Sequence, residues 1–308
     1  MSGVWKMAKA VYVDTSPTAS RTATDGKRKK RKPHYVFDGE KIFEVNKLTK
    51  LKDVDEVFID TLFPEIYEEV LELLKRGVKV YLLKNVRILK KLRLENNLKK
   101  SDENDAVILS KISKDGFRLL TLQEVEKRAK LRPLINKYEL LSKRIKTLKT
   151  WINRDGYEYK LKDDVRLMEK DKEEVAKKII ETLSNDVIYK EVCRLLGLRD
   201  SVEVAILTIE LPLHLPLNTL KKIVGLTPDK NKGRFNHHLR KHLSQLATNI
   251  YLNMKRWKDK WEVPRELREV VDSLPKEKAI YKLQSRILKA LRKAYFLANY
   301  QVNNPTGR

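Results

Sequence analysis

Short β-prone runs that end in an acid constrain this chain more than any other feature of it. Val4–Asp14 closes on AVYVD, and Glu56–Asp60 reads EVFID, so Asp14 and Asp60 each stand at the C-terminal end of an expected strand. Between them, Thr15–Thr24 has small and β-branched residues that could continue as another strand. YVFDGEKIFEV (Tyr35–Val45) then places the tight-turn pair Asp38-Gly39 between two strand-like pieces. A helix is expected from about Pro64 to Arg76, with Ile66, Val70, Leu73 and Leu74 inward and Gly77 as its stop. Val78–Leu83 (VKVYLL) reads as a buried strand, and Val86–Leu94 as a basic helix. Strands first and strand–helix alternation afterwards give an α/β domain.

A second acidic pair follows in KKSDENDAVILSKI (Lys99–Ile112). Ser101 is an expected N-cap, and Ala106, Val107, Leu109 and Ile112 suit one buried helix face, which sets Asp102 and Asp105 one turn apart on the same side. Acids at a helix start are ordinary, because the dipole favours them there. Set beside Asp14 and Asp60, however, they make four carboxylates that could converge. Such a group is costly without divalent cations in the gap, and its all-oxygen ligands suit magnesium, or manganese, in phosphodiester chemistry.

The charge balance agrees with a polyanionic partner. The 308 residues carry 67 Lys+Arg against 42 Asp+Glu, a formal charge of +25. No apolar run approaches the roughly 18 residues of a membrane-spanning helix, which favours nucleic acid over a membrane. The single Cys193 rules out an internal disulfide and a cysteine-built zinc site. Met1–Ala10 has neither a long apolar core nor a cleavage pattern, so a cytoplasmic, nucleoid-associated location is expected.

Two stretches concentrate the positive charge. Lys27, Arg28, Lys29, Lys30, Arg31 and Lys32 form an unbroken basic run in a turn, either a solvated tip or a finger for phosphates. Lys230, Lys232, Arg234, His237, His238, Arg240, Lys241 and His242 lie within 13 positions and read as a phosphate-facing surface. The three histidines are set aside as metal ligands, since no carboxylate or Cys lies near them in the sequence. In RWKDKW (Arg256–Trp261), aromatics alternate with cations, a pattern that serves base stacking or packing.

The second half reads as helical. Leu131, Leu134, Tyr138, Leu141, Ile145, Leu148 and Ile152 recur at spacings of 3 and 4, a heptad seam for a coiled coil or for a long helix packed on its own chain. Arg154–Asp164 breaks it, and a charged helix follows to Asn185. Gly197-Leu198 and Gly225-Leu226 join apolar helices, either as phosphate-binding turns or as packing hairpins. The last helix, Lys276–Tyr300, directs Ala279, Leu283, Ile287, Leu291, Ala294 and Ala298 inward.

On VYVDTS around Asp14, Val57–Asn85 and KSDENDAVILSKI, the sequence resembles the DEDD transposases of insertion sequences, whose N-terminal domain is similar to the Holliday-junction resolvase RuvC. The third motif is the most specific, matching the family's Lys-Thr-Asp-x-x-Asp-Ala at Lys100, Ser101, Asp102, Asp105 and Ala106. The resemblance implies a RuvC-like, ribonuclease H-like domain at 1–118, a coiled-coil arm at 119–186 and a helical nucleic-acid-binding domain at 187–308. It also implies two magnesium or manganese ions held by Asp14, Asp60, Asp102 and Asp105, and DNA, branched or guided by structured RNA, as substrate. A homodimer or tetramer through the coiled coil is implied as well. Two departures stand out: Asp60 replaces the family's Glu, and Lys232 precedes Gly233 where the family has a nucleophilic Ser, with Ser244 only on the next helix. A lysine cannot form the phosphoserine-type intermediate, so cleavage without strand exchange is the expectation. The alternative is a domesticated relative that binds or organises nucleic acid.

Overall fold

Ala10–Asp14 (β1), His34–Phe37 (β2), Ile42–Val45 (β3), Glu56–Ile59 (β4), Lys79–Leu83 (β5) and Phe117–Leu119 (β6) form one sheet in the order β3-β2-β1-β4-β5-β6. This computed structural model describes residues 9–17, 32–155, 161–227, 235–257 and 261–303. The chain divides into two units, Met1–Arg132 and Pro133–Arg308. The sheet lies in the first.

Strands β1, β4 and β5 run parallel, with Val13 beside Ile59 and Ile59 beside Leu82, while β2, β3 and β6 run antiparallel to their neighbours. The hairpin between β2 and β3 turns where Asp38-Gly39 stands, and Gly39 has φ +102°. Residues 15–17 lie outside any strand; the rest of the run to Thr24 is outside the described residues. Strand β6 has only the three residues FRL, too short to show a period in the sequence.

The period of 2 along β1, β4 and β5 sorts their side chains to two covered faces. Val11, Val13, Val57, Ile59 and Val80 join Ile66, Val70 and Leu73 from the turn at Pro64–Ile66 and the helix Tyr67–Lys75 (α1). On the other face Tyr12, Phe58 and Tyr81 stack across the three strands at ring separations of 5.0 and 4.7 Å. Leu89 of Arg87–Glu95 (α2) and Ile108, Leu109 of Asp102–Ser110 (α3) close over that ladder. Two helices on one side and one on the other make a three-layer α/β unit.

Helices account for the second unit. Leu122–Asp155 (α4) crosses the boundary between the units at Pro133, where one intrahelical hydrogen bond is lost. It is followed by Leu161–Leu183 (α5), Val187–Leu196 (α6), Val202–Glu210 (α7), Leu217–Ile223 (α8), His237–Arg256 (α9), Arg265–Ser273 (α10) and Lys276–Asn303 (α11). Ala279, Leu283, Ile287, Leu291 and Ala294 of α11 are fully buried and pack against α6 and α9, while Ala298 is half-buried.

The heptad seam is real but is used inside the chain. Tyr138, Leu141 and Ile145 are buried in the second unit, Lys149 pairs with Glu169 of α5 at 2.6 Å, and Lys172 of α5 lies over the Tyr138 ring. These contacts match the alternative of a long helix packed on its own chain, while Leu134, Leu148 and Ile152 of the seam stay half-buried. The expected tip falls partly at 156–160, outside the described residues.

The glycine turns resolve toward packing. Gly197 ends α6 at φ +65°, a Cβ there would lie 2.7 Å from the carbonyl oxygen of Glu262, and its own carbonyl accepts from Trp261 Nε1 at 2.6 Å. Trp261 is therefore a packing residue. Residues 258–260 of the alternating aromatic and basic stretch lie outside the described residues.

Candidate functional site

Asp14 is the last residue of β1, and Asp60 directly follows β4. The parallel register that pairs Val13 with Ile59 sets these acids side by side, with Asp60 N–H donating to the Val13 carbonyl at 3.4 Å. Val13 and Ile59 point into the α1 face, so the residues after them turn toward the face that carries α2 and α3. Helix α3 supplies the third acid. Ser101 caps it by accepting from Asn104 N–H at 3.1 Å, and Asp105 sits one turn in, buried beside Ala106. Asp14, Asp60 and Asp105 are each less than a tenth exposed.

Their charges are felt mutually. Burial first, then the charges of Asp60 and Asp105, push the Asp14 carboxyl from 3.8 up to about 8, against the opposing pull of Lys32 and Arg93. Burial also raises Asp60, although its carboxylate is well served by donors. Thr15 N–H and Thr15 Oγ1 donate to Oδ1 at 2.9 and 2.8 Å, and Thr61 Oγ1 donates to Oδ2 at 3.0 Å. Asp105 is raised by burial as well, with Arg93 working against the shift. One guanidinium nitrogen of Arg93 spans both Asp105 oxygens at 2.9 and 2.8 Å.

Asp102 is half-buried and pairs with Lys32. The charges of Asp60 and Asp105 thus reach Asp14, with Arg93, Lys32 and Lys100 opposing them, while Asp102 is linked to this group through Lys32, whose charge also acts on Asp14. The donor set is entirely oxygen, the kind a hard divalent ion takes, but the ligand atoms of these acids do not all lie within 4.8 Å of one another. Arg93 is the counterpoint: it gives Asp105 a permanent partner that the sequence did not announce. The only hint was the basic character of α2 twelve residues upstream.

Of the expected nucleic-acid contacts, Lys27, Arg28, Lys29, Lys30, Arg31, Lys230, Lys232 and Arg234 fall outside the described residues. Lys32 is at the acidic site. Arg240 reaches the Val224 carbonyl at 3.4 Å, and burial lowers its pKa. Lys241 is exposed on α9, with its ammonium 3.5 Å from Glu139.

His238 departs furthest from the sequence reading. Its Nδ1 lies 2.9 Å from Glu139 Oε1 and its Nε2 lies 2.5 Å from Glu210 Oε2, so it is engaged on both ring nitrogens rather than presented to phosphate. The hydrogen bond with Glu210 is the main cause of its raised pKa. His242, fully buried, reaches the same Glu139 oxygen through Nε2 at 3.1 Å, and burial lowers its pKa. The premise that no carboxylate lies near these histidines is therefore wrong: Glu139 comes from α4 and Glu210 from the end of α7, both distant in sequence. Glu139, His238 and His242 could hold a metal ion, their ligand atoms all lying within 4.8 Å of one another.

No family model matches this chain, and no curated protein matches it. Among the described residues no helix is long and apolar enough to cross a membrane.

Proposed function

We propose that this protein processes nucleic acid, cleaving phosphodiester bonds with divalent metal at the acidic site of the sheet. The observation that carries the reading is the placing of Asp14, Asp60 and Asp105 at two adjacent parallel strand ends and on a facing helix, buried and near enough for their charges to act on one another. The order β3-β2-β1-β4-β5, with β2 reversed against β1, supports a ribonuclease H-like, RuvC-like unit, as does the motif resemblance. Asp14, Asp60 and Asp105, with Asp102 at the rim, would hold magnesium or manganese, which when bound supplies an activated water and offsets charge on the leaving oxygen.

The rest falls to the chain's own groups. Thr15 and Thr61 fix the rotamer of Asp60, whose side chain is one methylene shorter than the family's Glu. Arg93 holds Asp105 in place, and Lys32 offsets Asp102 at the exposed edge. The net charge of +25 supplies attraction for DNA, or for structured RNA. With lysine where the family keeps its serine, the proposed reaction ends at cleavage.

A second reading has its own observation. Arg93 and Lys32 already neutralise Asp105 and Asp102, which fits a domesticated protein that binds nucleic acid without cutting it. Incubating branched and linear DNA, and structured RNA, with the full chain and magnesium separates the two. Cleavage by the wild type, lost in Asp14→Ala with binding retained, supports the nuclease; salt-sensitive binding with no magnesium-dependent cleavage of any substrate overturns it in favour of the second reading.

A further inference from the structure

The cluster of Glu139, His238, His242 and Glu210 lies wholly within the second unit and plays no part in the acidic site. His238 and His242 stand four residues apart on α9, so their rings share one face of the helix. Both reach a single oxygen, Glu139 Oε1, at 2.9 and 3.1 Å. In a tetrahedral site with bonds of about 2.0–2.1 Å, ligand atoms are separated by little more than this, so the three donors already sit near the edges of such a site. Glu210 supplies a second, independent indication. Its carboxylate takes Nε2 of His238 at 2.5 Å, which leaves Nδ1 as the nitrogen directed at Glu139. A carboxylate behind the far nitrogen is how proteins commonly orient a histidine toward metal.

We propose that Glu139 Oε1, His238 Nδ1 and His242 Nε2 form a site for a zinc-class transition-metal ion, with Glu210 as the residue that positions His238. Two imidazoles and one carboxylate suit zinc and disfavour magnesium, which takes oxygen donors with most of its water retained. Three protein ligands leave a fourth position. Glu139 and His238 are each about one quarter exposed, so water or an exogenous ligand reaches it, while His242 is fully buried and anchors the site. Lys241 Nζ, 3.5 Å from Glu139, is the competing cation; nearly half exposed on a flexible stem, it turns to solvent when the ion binds. The ion replaces protons that otherwise bridge the imidazoles and the carboxylate, and these leave to solvent. Because the ligands come from α4 and α9 and the positioning residue from α7, the bound ion joins three helices of the second unit.

The test is a cobalt titration of the full chain after chelator treatment. The wild type is expected to bind one equivalent with the visible absorption of a four-coordinate centre, released by equimolar zinc and unaffected by excess magnesium. Asp14→Ala keeps that absorption, which separates this site from the acidic one. His242→Ala and Glu139→Ala lose it. Glu210→Gln retains all three ligands and weakens affinity by about 10–100-fold, a change that circular dichroism can distinguish from misfolding. Absence of the absorption in the wild type overturns the proposal whatever the variants do, and so does its survival in a folded His242→Ala protein.

Discussion

Asp14→Asn removes one ionisable group from the acidic site while nearly keeping its shape, and it should change how stability depends on pH. The Asp14 carboxyl titrates at about 8 in the folded protein against 3.8 unfolded, so between those values the folded state holds a proton that the unfolded state has released. This is the reverse of a salt-bridged carboxylate. The contribution is fully present below about pH 4 and drains away as pH rises toward 8. One group gives a slope of at most about 1.4 kcal/mol per pH unit, and the four-unit window sets a ceiling of roughly 6 kcal/mol. Water entry at the ionised carboxyl and adjustment of the exposed Lys32 ammonium lower that ceiling, and about 2–3 kcal/mol is the expected loss between pH 5 and 8.

Urea unfolding in chelator at pH 5, 6, 7 and 8 reads this directly. The wild type should lose stability relative to Asp14→Asn at each step, because the amide has no proton to give up. A stability difference that stays constant within about 0.5 kcal/mol from pH 5 to 8 would refute the burial and charge argument for this site. The same titration repeated with magnesium tests the ligand role. Metal at 100 times its dissociation constant returns about 2.7 kcal/mol to the wild type at pH 8 and little to the variant.

Two further outcomes follow from named contacts. Arg93→Met leaves the Asp105 carboxylate buried without its partner, which should cost about 3–5 kcal/mol in chelator, and it should tighten magnesium binding measured by calorimetry because Asp105 is freed to ligate. Weaker magnesium binding would mean that Arg93 positions Asp105 for the ion rather than competing with it. Gly197→Ala forces a side chain into φ +65° and against the Glu262 carbonyl, and should lower the melting temperature by roughly 5 °C, read by scanning calorimetry.

The α/β character of the first unit was legible because each parallel strand is a continuous apolar run, and each acid follows its run in sequence. Asp38-Gly39 announced its hairpin, and Ser101 its helix, for equally local reasons. Strand β6 was not legible, since three residues carry no period and its place is fixed by pairing with β5. The partners of the acids were also hidden: Lys32–Asp102 and Arg93–Asp105 form only when the sheet and α2 bring distant segments together. The histidine cluster failed for the same reason in a sharper form. His238 and His242 stood in a basic run and were set aside as ligands, because the carboxylates that define their chemistry come from α4 and α7.

The electrostatics of the acidic site also bear on how a polyanion could use it. A chain of formal charge +25 attracts phosphate, yet at Asp14 the charges of the buried Asp60 and Asp105 leave a local negative deficit. A phosphodiester approaching that point meets repulsion that the surrounding lysines do not cancel, because buried acids are screened far less than exposed cations. The raised Asp14 pKa is one local answer, since a protonated carboxyl removes part of the deficit. It is a poor answer for catalysis, because a neutral carboxyl neither holds an ion well nor accepts a proton. A divalent cation bound here, as proposed, would offset that deficit and let Asp14 ionise. Nucleic acid and cation at this site should therefore bind with positive coupling, each raising the affinity of the other by the same factor. Lys32, exposed and paired with Asp102, is the cation that a metal ion taken up by Asp102 would displace.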